Sequence, residues 1–209
     1  MCIRDSNYPW HLDDTPNILQ NNAIQITDFD PESLFRSIFS AAPFTGHFSR
    51  PLSYFTFALN WYFGGSNTTG YHIVNILIHV LASILLFLSI DLLFNCSSKL
   101  NRLYSKRTAQ FIALFSSLLW ALHPIQIQSV TYIVQRMTSM AGLFSIFSIY
   151  WFIKHYSADR ASIRTTYLVF CLLSFICAIC SKENPALLPL SFVLIHIAFF
   201  DEDRRQYTR

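Results

Sequence analysis

The chain has 209 residues, 53% of them hydrophobic and 13% charged, with 20 Phe, 5 Gly and a formal net charge of +3. A mean hydropathy of +0.36 excludes an ordinary soluble domain and fits helices that are apolar nearly all round, because lipid replaces water outside them. The few basic residues cluster between apolar runs, which reads as topology signals and excludes a nucleic-acid partner.

Met1-Cys2-Ile3-Arg4-Asp5-Ser6 match the in-frame translation of a transposon-end sequencing adapter. They are set aside from the fold, and on that reading the native protein begins upstream. Residues 7–70 form a mixed aromatic and polar segment that precedes the first membrane-length run. It carries an adjacent acidic pair, Asp13-Asp14, in a chain otherwise built for lipid. Asp14 or Thr15 before Pro16 reads as a helix start, with proline where its missing N–H costs nothing. Asp30-Pro31-Glu32 repeats that signal and opens a short helix. Residues 51–63 give about three helical turns, closed by Gly64-Gly65, too short to span and suited to the membrane interface or to the start of a tilted helix.

Five apolar runs follow, at 71–94, 108–124, 137–153, 165–180 and 184–200. Within the first, His72, Asn75, His79 and Ser83 recur at spacings of three and four and make one polar stripe. In lipid such a stripe must face other helices or water. Two histidines two turns apart, with no third ligand, do not make a metal site. Cys177-x-x-Cys180 has redox spacing but no βαβ context, so these thiols read as packing residues, as do Cys96 and Cys171.

Loop charge sets the orientation. Lys99, Arg102, Lys106 and Arg107 follow the first span; Lys154, Arg160 and Arg164 follow the third; Arg204, Arg205 and Arg209 lie in the tail, residues 201–209. The short connectors on the other side hold only Arg136 and Lys182. Positive-inside places the basic loops and tail in the cytoplasm. Residues 7–70, the segment from His123 to Arg136, and Lys182-Glu183 then share the outer face. Asp13, Asp14, Arg50, His72, His123, Arg136, Lys182 and Glu183 are thereby gathered at one end of a bundle. Acids and bases so placed suit transfer from a lipid-linked phosphate: a carboxylate takes the proton of an incoming hydroxyl while cations neutralise the leaving group. Each has a plainer role as well. Asp14 suits a helix cap, Arg136 and Lys182 suit snorkelling to headgroups, and His123-Pro124 suits a helix terminus. Asn67-Thr68-Thr69 matches a glycosylation sequon, relevant in a eukaryotic secretory host.

Several motifs stand in order: Arg50-Pro51-Leu52-Ser53, Asn60-Trp61-Tyr62-Phe63-Gly64-Gly65, Gly70-Tyr71-His72-Ile73-Val74-Asn75-Ile76-Leu77-Ile78-His79, Leu119-Trp120-Ala121-Leu122-His123-Pro124-Ile125, Arg136 and Lys182-Glu183. This pattern resembles the membrane half of the transmembrane and tetratricopeptide-repeat proteins, a family of O-mannosyltransferases, from Trp10 to Pro189. The resemblance implies an all-α polytopic membrane protein, a GT-C-like helical bundle whose first outer loop bears short interfacial helices and an acidic pair. It implies an inverting glycosyltransferase moving a mannose-like sugar from a polyprenyl- or dolichyl-phosphate donor to a protein hydroxyl. Asp13 and Asp14 match the first-loop acidic motif, and one of them would be the general base; the choice stays open. Arg136 and Lys182 would meet the donor phosphate, with Arg50, His72, His123 and Glu183 in support. No cofactor is required, and a divalent cation on the acidic pair has no ligand pattern behind it. The implied partners are membrane lipid, the lipid-linked donor and an acceptor protein. The implied setting is a bacterial inner membrane, or the endoplasmic reticulum of a eukaryote, with residues 7–70 periplasmic or lumenal.

Two departures stand out. The family's first span is missing, so the fragment is expected to be inactive by itself, and no 34-residue repeat of the tetratricopeptide kind is found. The rival reading is a non-catalytic membrane anchor for a repeat domain. A transporter is a third, suggested by the polar stripe, but the sequence offers no broken-helix pair or inverted repeat for it.

Overall fold

The computed structural model describes residues 10–40 and 50–200; the adapter-like residues 1–6 and the tail 201–209 lie outside the described residues. Among the described residues all regular structure is helical. Helix α1 (Pro31–Ile38) starts as the sequence predicts: the Asp30 carboxylate accepts from the Glu32 and Ser33 N–H groups at 3.1 Å each, and Pro31 fills the first turn. Helix α2 (Pro51–Gly64) ends at Gly65, whose φ of 56° is one that glycine adopts freely. Then follow α3 (Thr68–Cys96), α4 (Ser98–Leu103), α5 (Lys106–Leu122), α6 (Ile127–Thr131), α7 (Arg136–Tyr156), α8 (Ala161–Ser181) and α9 (Leu188–Phe199).

The segment at Pro16 differs from expectation. Thr15–Leu19 is a five-residue π turn, and the Asp14 side chain does not cap it. The membrane runs differ too. Among the described residues three helices are long and apolar enough to cross a membrane: α3, α7 with its lead-in from Ile133, and α8. Helix α5 stops before His123-Pro124, where proline disfavours a helical conformation in the residue before it. The chain continues as a 3₁₀ turn (Pro124–Gln126) and α6, bent 52° from α5, and this pair counts as a fourth span only if taken together. A broken helix, absent from the sequence reading, is therefore present. The run expected at 184–200 is a 3₁₀ turn (Asn184–Leu187) followed by the 12-residue α9, shorter than a full span. Pro185 lies in the 3₁₀ turn, and Pro189 sits in the first turn of α9, where a missing N–H is tolerated.

The break explains the polar stripe on α3. A helix end leaves carbonyls without intrahelical partners, and in lipid these need other donors. His79 Nε2 pairs with the Ala121 carbonyl at 3.0 Å, stacked on Trp120. His72 Nδ1 pairs with the Val130 carbonyl at 3.3 Å, and the Asn75 amide donates to the carbonyls of Tyr132 and Ile133 at 3.4 Å each. Ser83 turns back onto its own helix, donating to the His79 carbonyl. The stripe thus fastens a bent segment to a straight helix.

Helices α7 and α8 approach through small residues, with Ala141, Ser148, Ser174 and Ala178 buried between them and Ser148 Oγ donating to the Cys171 carbonyl at 2.7 Å. Close packing of small side chains is what associates helices where lipid is as apolar as leucine. The outer faces carry exposed Leu77, Val80 and Leu81 on α3 and Leu172, Leu173 and Ile176 on α8. Contacts define two ends. At one, Ser97 donates to the Phe199 carbonyl, Tyr156 pairs with His196, and Lys154 lies 5.2–5.4 Å from the rings of Tyr150, Trp151 and Tyr167. That is an aromatic belt with a snorkelling lysine. The loop from Trp10, with α1 and α2, occupies the other. There Ile18, Ile24, Ile26, Tyr54 and Phe57 are buried against Tyr71, Ile133 and Met137, a core that joins the loop and α2 to the ends of the spans.

Candidate functional site

At that second end the two adjacent carboxylates have different surroundings. Asp14 is fully buried. Its Oδ2 accepts from the His11 N–H at 2.9 Å and its Oδ1 from the Val134 N–H at 2.8 Å. Both oxygens are thus committed to backbone, and the second bond ties the first loop to the turn leading into α7. Burial raises the Asp14 carboxyl above its ordinary value, and the two N–H bonds oppose that rise without cancelling it.

A raised folded value means that the folded chain holds this proton more tightly than the unfolded chain. Stability falls as pH rises from the ordinary carboxylate value through the raised one. Asp14→Asn is expected to flatten that dependence in thermal melts run upward from the ordinary carboxylate range. Asp14→Ala strips acceptors from two N–H groups and is expected to cost about 2 kcal/mol or more.

Asp13 is exposed and its backbone is held on both sides. Its N–H donates to the Tyr132 hydroxyl at 3.3 Å, and its carbonyl accepts from the Asn17 amide at 2.7 Å. Asn17 in turn accepts from the Tyr54 hydroxyl at 2.7 Å. Burial first, then the Asp13 carboxylate beside it, raise the Tyr132 phenol. The loop therefore holds Asp13 rigid and presents its carboxylate to solvent.

A second cluster forms where α2, α7 and the end of α8 meet. Arg50 engages Glu183 through both fork nitrogens, Nε to Oε1 at 3.1 Å and Nη2 to Oε2 at 3.2 Å. Its Nη1 reaches the Met137 sulfur at 3.5 Å. Arg50 also has a left-handed backbone, φ 57°, next to Pro51, a conformation that costs a non-glycine residue about 1–3 kcal/mol. Lys182 Nζ donates to Thr138 Oγ1 at 2.8 Å and keeps its remaining protons. Burial, then the nearby Arg50, lower the Lys182 ammonium. Burial is the largest single influence on the half-exposed Glu183 carboxyl and raises it, but the Arg50 hydrogen bonds and the Arg50 and Lys182 charges together outweigh it and draw the carboxyl down. Tyr54 links this cluster to the first, since its hydroxyl bonds Asn17 while feeling the charges of Arg50 and Glu183.

Arg136 is not a surface cation. It is fully buried, and four of its N–H donors are taken: Nε by Asn75 Oδ1 at 2.8 Å, Nη1 by Asn60 Oδ1 at 2.5 Å and the Thr56 carbonyl at 3.3 Å, Nη2 by the Tyr71 carbonyl at 3.0 Å. The guanidinium lies 4.9 Å from the Phe57 ring centroid and 5.4 Å from that of Tyr71, at cation–π distance. It locks α2, α3 and α7 together.

Of the other expected residues, His72 serves the broken segment on Val130. His123 is exposed and caps the next turn, its Nδ1 accepting from the Ile125 N–H at 3.2 Å. Neither joins the clusters. Tyr132, Thr138 and Asn17 are residues that sequence reasoning did not single out, and Asn60 stood there only as the first residue of a motif, with no role of its own. Only Asn60 carried a signal, as an amide inside an apolar helix. Among the described residues no group of three or more His, Cys, Asp or Glu side chains is gathered to hold a metal.

Comparison with known proteins gives relatives of one kind. The chain is 31% identical over 158 residues to "Protein O-mannosyl-transferase TMTC4" of Homo sapiens, covering 71% of this chain and 21% of that protein. It is 25% identical over 181 residues to "Protein O-mannosyl-transferase TMTC3" of Mus musculus, covering 83% and 18%. Against "Protein O-mannosyl-transferase TMTC2" of Homo sapiens it is 36% identical over 116 residues, covering 56% and 12%. The chain thus spans about a fifth of the length of the curated relatives it matches first. No family model matches, and no solved structure does.

Proposed function

We propose, from the premise that this chain is a TMTC-like relative of the protein O-mannosyl-transferases, that it carries the donor end of a membrane glycosyltransferase. In this reading the parent protein moves a mannose-like sugar from a polyprenyl-phosphate carrier to a protein hydroxyl. Asp13 is the general base. It takes the proton of the acceptor hydroxyl as that oxygen attacks the anomeric carbon, and the bond from that carbon to the phosphate oxygen breaks on the opposite side. The phosphate leaves with the electron pair beside Lys182, whose free N–H donors and half-buried charge favour the dianion that develops. Asp14 positions the loop, and Arg136 holds the scaffold beneath.

The observation that carries this reading is the division between the two carboxylates. Asp14 has both oxygens bonded to backbone N–H groups and is sealed from substrate, whereas Asp13 is exposed on a loop pinned at its N–H and carbonyl. A base needs reach to its proton and a fixed geometry, and Asp13 has both. The basic connectors gather at the other end of the spans, which supports a periplasmic or lumenal setting for this one.

The test is transfer from a polyprenyl-phosphate sugar to a hydroxyl-bearing peptide by the full-length parent. Lys182→Ala is expected to raise KM for the donor about tenfold or more, the worth of a hydrogen bond to a charged group. An unchanged donor KM takes Lys182 out of the phosphate site.

A further inference from the structure

Among the stripe residues of α3, Asn75 bonds the turn that holds the acidic pair. It is fully buried, and its neighbours assign the two ends of its amide. Arginine only donates, so Oδ1 must face Arg136, accepting from Nε at 2.8 Å. Nδ2 is thereby turned to the Tyr132 and Ile133 carbonyls, at 3.4 Å each. Both carbonyls also accept within the chain's own turn, Tyr132 from the Gln135 N–H at 3.1 Å and Ile133 from the Arg136 N–H. Asn75 is a second partner to each. What it adds is location, because it fixes the 3₁₀ turn (Ile133–Gln135) against α3.

The same short stretch also holds the first loop. The Tyr132 hydroxyl accepts from the Asp13 N–H at 3.3 Å, and its ring meets His11 edge-on at 5.2 Å. The Val134 N–H donates to Asp14 Oδ1 at 2.8 Å. Ile133, between the two, is buried in the core. A shift of this turn along α3 therefore carries Asp13 with it. Chemistry at a positioned group is steep in distance, about 10²-fold for a misplacement of roughly 1 Å.

We infer that Asn75 is a positioning residue for the acidic pair, acting through the turn at residues 132–134 on the place of Asp13. This rests on the reading of Asp13 as the base. The polar stripe then has two duties. His72 and His79 hold the bent segment to α3, and Asn75 passes the register of α3 to the first loop. Asn75 is sealed from substrate, so its loss falls on kcat and spares the donor KM.

The test is Asn75→Asp in the full-length parent, read by transfer kinetics and by hydrogen exchange with peptide mass spectrometry. The carboxylate keeps the side chain's size and its bond to Arg136, and puts an acceptor where the two carbonyls had a donor. The kcat is expected to fall about tenfold or more, with donor KM within about twofold. Exchange at residues 11–14 is expected to quicken about tenfold, while α7 and α8 keep their protection. In an Asp13→Asn background the same substitution is expected to lower the residual rate by less than about twofold, because the base it positions is gone. Unchanged kcat, or unchanged exchange at residues 11–14, overturns the inference. So does a loss of full size in the Asp13→Asn background, which is what a merely structural role gives. Should α7 and α8 lose protection too, Asn75→Gln, which sets the same amide one methylene further out, is judged by the same outcomes. Full transfer by Asp13→Asn alone refutes the base and not this contact: exchange at residues 11–14 still decides whether Asn75 holds the loop.

Discussion

Arg136→Ala is expected to destabilise the chain by about 3–5 kcal/mol, the range seen when one member of a buried charged network is removed. The substitution leaves the side-chain oxygens of Asn60 and Asn75 and the carbonyls of Thr56 and Tyr71 without their donor. It also empties a volume lined by Phe57 and Tyr71. Buried acceptors stripped of a partner cost free energy in full, because no water reaches them. Arg136→Met fills the space but not the bonds and is expected to recover only part of the loss. Arg136→Lys keeps the charge, but a point ammonium cannot serve acceptors spread around a planar fork. The measurement is thermal stability in detergent by fluorescence-detected size exclusion. A stable Arg136→Ala chain whose parent loses only donor affinity would return this arginine to the phosphate role expected from its sequence position.

Asp13→Asn is expected to lower transfer by the full-length parent by about 10²–10⁴-fold, the usual contribution of a positioned general base. The amide keeps the size of the side chain and leaves both backbone anchors of Asp13 untouched, so the loop stays in place. The loss should fall on kcat with donor KM nearly unchanged, because the proton moves only in the transition state. Tyr132→Phe removes the hydroxyl beside Asp13 and is expected to act more weakly, through position alone.

The long apolar runs made α3, α7 and α8 legible in the sequence, and Asp30-Pro31 and Gly64-Gly65 marked two helix boundaries correctly. Gathering Arg50, Lys182 and Glu183 at one end needed only the alternation of spans and basic loops, and these three do meet. The division of labour within the acidic pair was not legible. Asp14 is fixed by the N–H of Val134, 120 residues away, and a backbone donor leaves no trace in residue type. Arg136 looked like a cation at a helix start; its acceptors lie 61–80 residues earlier in the chain, so its burial is a tertiary fact. The turn at Pro16 carried a proper helix-start signature, but the Asp14 carboxylate was taken up by the N–H groups of His11 and Val134 and the π turn formed without its cap. At His123-Pro124 the sequence suited a helix terminus, but the run was carried through to Pro124 and the bend was missed. What the sequence did not reveal was that the α3 stripe exists to bind the carbonyls this bend frees.

The most direct measurement is the ratio of transfer rates of Asp13→Asn and Asp14→Asn in the full-length parent, each normalised to folded protein. With Asp13 as the base and Asp14 as the anchor of its loop, Asp13→Asn should fall about 10²-fold or more below Asp14→Asn. Equal rates, or a larger loss in Asp14→Asn at equal folding, would contradict the account, and full transfer by both would remove both carboxylates from the chemistry.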